Sequence, residues 1–131
     1  MKDYLAVWGE GPSDKDPSNL RTPITVIGER THARSGEFAK VELTVLPAAG
    51  FEVVDLVPER HELEQLGVGW PDPVILGLLD VLMNAEHGPL RNVRVVLEGV
   101  WYHEVDSSRD AFRNAGRDAG RKIIEAIGRQ G

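Results

Sequence analysis

The sequence predicts an α+β fold, a two-layer sandwich in which two helices cover one face of a four-stranded sheet. Three observations carry that reading. Residues 38–46 alternate, with Val41, Leu43 and Val45 facing one way and Lys40, Glu42 and Thr44 the other, the period of a half-buried strand. Residues 74–86 space Ile75, Leu78, Leu79, Leu82 and Met83 three and four apart, which builds one apolar helical face. Phe112, Ala115, Gly116, Ala119, Ile123 and Ile127 form a second such stripe near the C-terminal end.

The remaining elements follow in chain order. Residues 3–9 read as a short strand, with Tyr4, Ala6 and Trp8 alternating against Leu5 and Val7, and residues 10–19 read as a polar linker. Residues 1–22 are therefore expected to be a partly mobile N-terminal extension, and residues 23–131 the domain. Residues 24–30 form a strand with Ile24 and Val26 on one face and Thr25 and Ile27 on the other. A polar connection over 31–36 leads into the 38–46 strand. The turn Pro47-Ala48-Ala49-Gly50 then starts a third strand over 51–57, and the three are expected to form an antiparallel meander.

Residues 58–66 suggest a short helix before Gly67, Gly69, Pro71 and Pro73 break the chain repeatedly. The next helix should begin near Asp72, with proline in the first turn, where its missing N–H costs least. His87, Gly88 and Pro89 stop it. A long strand over 93–105 contains Gly99, which marks a bend or bulge. Ser107 is expected to cap the last helix, with Asp110 completing a capping-box-like pattern. Gly128 should end that helix after about Ile127.

Composition removes several function classes. A chain of 131 residues suits one domain. The absence of cysteine excludes disulfides, thiolate metal sites and cysteine nucleophiles. The four histidines lack metal-ligand spacing, so neither a metal nor another cofactor is expected. No phosphate-loop motif is present to hold a nucleotide. The N-terminus lacks a secretory pattern, and no apolar stretch approaches the roughly 20 residues that cross a bilayer. A cytoplasmic protein with no membrane contact is expected. The net charge of −6 argues against autonomous, tight RNA binding, because phosphate contacts need a basic excess. Any nucleic-acid contact must be local.

A longer pattern surrounds residues 93–119. Gly99, Tyr102, His103, Glu104, Val105, Asp106, Ser107, Ser108, Ala111 and Phe112 stand at matching offsets to the strand–loop–helix that closes the fourth domain of translation elongation factor G. Gly88-Pro89-Leu90 resembles that family's break before its last strand, and Gly50-Phe51-Glu52-Val53 resembles its third-strand start. The resemblance spans about residues 24 to 128. It implies a ribosomal-protein-like fold with a left-handed βαβ crossover, an exception to the right-handed rule. It also implies a non-enzymatic, translation-related binding module, because in the full factor this domain reaches the decoding region and contacts the tRNA–mRNA duplex. The chain departs from the family in two places. The first tip loop keeps Ser35-Gly36 but loses the rest of a Gln-Ser-Gly-Gly-Arg-Gly-Gln type motif. The family's paired glycines before the first helix are replaced by the longer stretch 58–73.

The resemblance assigns an RNA- or partner-binding tip. His32, Arg34, Ser35 and Gly36 belong to its first loop, and His103, Glu104, Asp106, Ser107, Ser108 and Arg109 to its second. His103 matches the family's tip histidine, and an imidazole can stack or hydrogen-bond at an RNA strand. The plainer reading is a solvated histidine tied to Asp106. Asp106, Ser107 and Ser108 beside His103 suggest a nucleophile, but helix capping accounts for all three. No catalytic residue is assigned.

Arg113, Arg117 and Arg121 continue from Arg109 at every fourth residue, with Lys122 adjacent. They form either a phosphate-facing ridge or a solvated helix face, on which Asp118 and Lys122 pair. Trp70 is expected as a lid on the core. Trp101 is expected to pack in the core, and would be an interface anchor if exposed. His61 and His87 read as surface residues. The expected partner is the ribosome or another RNA. The alternative is a protein-interaction or oligomerisation domain that has lost RNA binding, in keeping with the acidic charge.

Overall fold

The alternation of the second strand sets the inner face of the sheet. In the computed structural model, which describes residues 20, 22–32, 37–83, 90–103 and 106–130, β1 (Ile24–His32) pairs antiparallel with β2 (Glu37–Pro47). Ala39, Val41, Leu43 and Val45 are fully buried on the inner face. On the outer face the hydroxyls of Thr25 and Thr44 lie 2.7 Å apart. Both split faces match the sequence reading.

The third strand does not continue the meander. β3 (Glu52–Asp55) pairs parallel with β4 (Val93–Tyr102), and the sheet order is β1-β2-β4-β3. Strand length explains the exchange. β4 has ten residues and a core-facing run of Val93, Val95 and Leu97, enough to be paired on both sides. β3 has four residues and sits at the edge. The connection from β2 passes the end of β4, where Ala48 N–H bonds the Asn92 carbonyl at 3.0 Å.

Gly99 marks a bulge, as its sequence position suggested. Glu42 faces Gly99 but Leu43 faces Leu97, so Glu98 is an extra residue in β4. Beyond the bulge the inward phase moves from odd to even residues, and Val100 is buried. Trp101 therefore points outward at 45% exposure, which corrects its expected place in the core.

Among the described residues three helices are present: besides the two expected on the sheet, the short helix suggested over 58–66 forms as α1 (Arg60–Leu66). Leu63 anchors it, and Gly67 closes it in the left-handed conformation (φ 72°). α2 (Asp72–Leu82) opens with Pro73 in its first turn, as expected. His87 lies outside the described residues. α3 (Arg109–Gln130) runs past Gly128 without a break, so that glycine is not a terminator. The Ser108 hydroxyl, rather than that of Ser107, accepts the helix-starting bond from Ala111 N–H at 3.1 Å.

The helices cross with backbones in close approach. A Cβ on Gly77 would overlap the Arg113 carbonyl oxygen, and one on Gly116 would overlap that of Val74. α3 also packs on β1 and β2, and Phe112 is fully buried beneath it. Trp70 covers that ring as the expected lid, with centroids 5.7 Å apart in an edge-on contact. Its indole N–H donates to Asp55 at 2.9 Å. Leu20, just before β1, is 4% exposed and joins the core. The expected strand over 3–9 and linker over 10–19 lie outside the described residues.

Candidate nucleic-acid interface

Two connections meet at one end of the sheet, the end of the β1–β2 hairpin and the passage from β4 into α3. Pairing brings them together, because β1 and β2 end at His32↔Glu37 while β2 and β4 end at Ala39↔Tyr102. Ser107 then ties them. Its hydroxyl donates to the Phe38 carbonyl at 2.7 Å and accepts from His103 N–H at 2.8 Å. Phe38 N–H in turn donates to the Asp106 carbonyl at 3.1 Å, and Ser107 N–H to that of His103 at 3.0 Å. Asp106 and Ser107 are thus occupied in backbone closure, and Ser108 in capping. That arrangement needs no nucleophilic role for any of the three.

His103 is the exposed side chain of this junction. It is 59% accessible, with Nδ1 at 3.5 Å from Asp106 Oδ2. Across the hairpin, Arg30 Nε donates to Glu37 at 3.1 Å. The backbone of His32 ends β1 in the expected place. Arg34, Ser35, Gly36 and Glu104 lie outside the described residues.

The arginines of α3 divide by direction. Arg109 is exposed, and its guanidinium lies against Gly69, at the Trp70 corner rather than over the hairpin. Arg113 and Arg117 both reach the single carboxylate of Asp80 on α2, with Nε distances of 3.0 and 2.9 Å. Burial raises the Asp80 carboxyl, but the hydrogen bonds and charges of the two arginines outweigh it and hold the group below its ordinary 3.8. Arg121 is exposed. A shallow depression of about 290 Å³ runs beside the ridge, lined by Glu37, Asp110, Arg113, Asn114 and Arg117. Its mixed signs make it a weak attractor for phosphate taken alone.

Sequence reading missed the Asp80 clamp. The available signal was an acidic residue, Asp80, set within the apolar run of α2, opposite arginines four apart. It also missed how α3 guards the free edge of β1. Asp118 accepts Glu29 N–H at 3.0 Å, and Lys122 Nζ donates to the Ile27 carbonyl at 2.6 Å. The expected Asp118–Lys122 pair is present at 3.0 Å.

Residues 25–126 match the family described as Elongation factor G, domain IV. The chain belongs to that family. It is 31% identical over 113 residues to Elongation factor G 2 of Syntrophomonas wolfei subsp. wolfei (strain DSM 2245B / Goettingen), an alignment covering 85% of this chain and 16% of that protein. Its fold matches a crystal structure from Thermus thermophilus with a TM-score of 0.67 and 18% identity, over 82% of this chain and 16% of the other. The chain thus spans about a sixth of each relative's length. It is a translation-factor-related domain with the mixed sheet of the elongation factor G domain IV fold. The described residues contain no group of three or more histidine, aspartate or glutamate side chains placed to hold a metal. No described helix is long and apolar enough to cross a membrane.

Proposed function

We propose that this member of the elongation factor G domain IV family is a non-enzymatic, cytoplasmic binding module that contacts ribosomal RNA through its tip. The observation that carries the reading is the Ser107 junction, which joins both tip connections and leaves the His103 imidazole exposed at their meeting point. An exposed imidazole can stack on or hydrogen-bond to an unpaired base. Arg109, exposed at the first position of α3 just past the junction, adds one positive charge on a chain whose net charge is −6.

Co-sedimentation with purified ribosomal subunits at moderate salt tests the proposal. The wild type should pellet, and a His103→Ala/Arg109→Ala variant should remain in the supernatant. A wild type that fails to pellet, or a variant that pellets equally, overturns it.

The Asp80 clamp favours a second reading, a protein-interaction domain that has lost RNA binding. It engages Arg113 and Arg117 within the fold, which weakens the ridge as a phosphate surface. Capture of a protein partner with no ribosome pelleting would favour this reading.

A further inference from the structure

The sheet has a second face, remote from the helices, whose chemistry differs from that of the tip. Among the described residues no helix packs on it, and Ile27 and Trp101 stand exposed there. Its carboxylates Glu29, Glu42, Glu52 and Glu98 outnumber its cations Lys40 and Arg94. We propose that this outer sheet face docks a cationic segment of a partner protein, with Trp101, Glu42 and Glu98 receiving an arginine or lysine side chain.

Charge matching selects the class of partner. Lys40 lies 3.6 Å from Glu29, and Arg94 Nε lies 3.0 Å from Glu52, so both cations of the face are already matched. Among the described residues Glu42 and Glu98 have no cationic partner within ion-pair distance. Simple alternation along β2 and the first half of β4 places both on the outer face, where Glu98 accepts the Thr44 hydroxyl. An uncompensated pair of carboxylates on an open sheet attracts cations and repels phosphate.

Shape selects the group. Gly99 leaves a notch between Glu42 and Trp101: a Cβ there would lie 3.5 Å from Glu42 Oε1 and 3.6 Å from the indole ring. A carboxylate oxygen and a carbon of the indole ring thus border one small opening. A guanidinium is planar, stacks on indole and donates in a fork to a carboxylate, so it suits that border better than a neutral side chain does. Lys40 Nζ already lies 5.9 Å from the Trp101 ring centroid, which places a cation against this ring within the fold itself. Ile27, on the same face, extends the contact with apolar area for the rest of the segment.

Titration with a nona-arginine peptide, followed by amide and indole chemical shifts, tests the proposal on the intact chain. The Trp101 indole N–H and the Gly99 and Glu42 amides should move most. A Glu42→Lys/Glu98→Lys variant should weaken binding about tenfold, the scale of one desolvated cation–aromatic and ion-pair contact. A Glu62→Lys/Glu64→Lys variant carries the same charge change on α1 and should bind as the wild type does. Equal weakening in both variants would show general charge attraction and overturn the proposal. Shifts confined to other surfaces, or shifts at Gly99 and Trp101 on adding an oligouridylate instead of the peptide, would overturn it as well. The wild-type shift map stands without either variant, so a folding defect in one leaves the test decisive.

Discussion

Asp80 of α2 accepts the guanidinium of Arg113 in two bonds across the helix interface, at 3.0 and 3.1 Å, and shares one of the same oxygens with Arg117. Two helices that otherwise meet through backbone and small residues are thereby fixed in rotation as well as distance. Asp80→Asn should cost about 1 kcal/mol at neutral pH, because the clamp is partly exposed and screened. The native carboxyl is held below its ordinary value, so its stabilisation is complete above the unfolded value and fades as the pH falls through the native one. The urea midpoints of wild type and variant should therefore converge below roughly pH 4. A gap that persists in acid would show that something other than the charge is responsible.

Ser107→Ala removes one donor and one acceptor from the tip junction and leaves the Phe38 carbonyl and His103 N–H without their hydroxyl. The loss should be about 1 kcal/mol. Amide exchange at His103 should accelerate more than exchange in the middle of β2. Ser108→Ala should cost a similar amount through the helix cap, but with its fastest exchange at Ala111. The exchange pattern, rather than the size of the loss, distinguishes the two serines.

The β1 edge presents a different vulnerability. Asp118 and Lys122 satisfy a backbone N–H and carbonyl that face away from the sheet, at Glu29 and Ile27. Unpaired edge groups of this kind recruit other strands. An Asp118→Ala/Lys122→Ala variant should self-associate with rising concentration, measured by light scattering, under conditions where the wild type keeps its mass. Identical mass curves would show that the edge is protected by other means.

Glycine substitutions should separate close approach from helix propensity. Gly116→Ala would force its methyl into the Val74 carbonyl and should cost about 3 kcal/mol. A Cβ on Gly128 would meet nothing within 4 Å, so Gly128→Ala should stabilise the chain by about 0.5 kcal/mol. Thermal unfolding of the two variants should move in opposite directions.

Elements with one buried face were legible in the sequence. The alternation around Val41, Leu43 and Val45 and the three-four spacing of Ile75, Leu78, Leu79 and Leu82 each located an element and its inner side. Pairing was less legible, because a short strand such as Glu52–Asp55 carries no signal for its neighbour. Residues closest in sequence favour a hairpin, whereas the longer apolar face of β4 took the central place. Trp101 was misplaced for a related reason. Gly99 announced the bulge, but only the register shows that the extra residue precedes Trp101 and turns it outward. At the tip, the family pattern located His103 and the serines. It could not divide their work, since either Ser107 or Ser108 can cap a helix and only the chain path decides.

The bulge at Glu98 makes the length of β4 matter more than the identity of most of its residues. Removing one residue between Leu97 and Val100 would restore simple alternation and leave the far half of the strand as it is, with Val100 and Tyr102 inward and Trp101 outward. Closing the bulge with every residue kept would instead exchange the two sides, turning Val100 to solvent and Trp101 to the helices. A single-codon deletion at the bulge would thus be absorbed, whereas one within the regular part of the strand would exchange its faces. The parity of this strand therefore sets what the outer sheet can offer a partner.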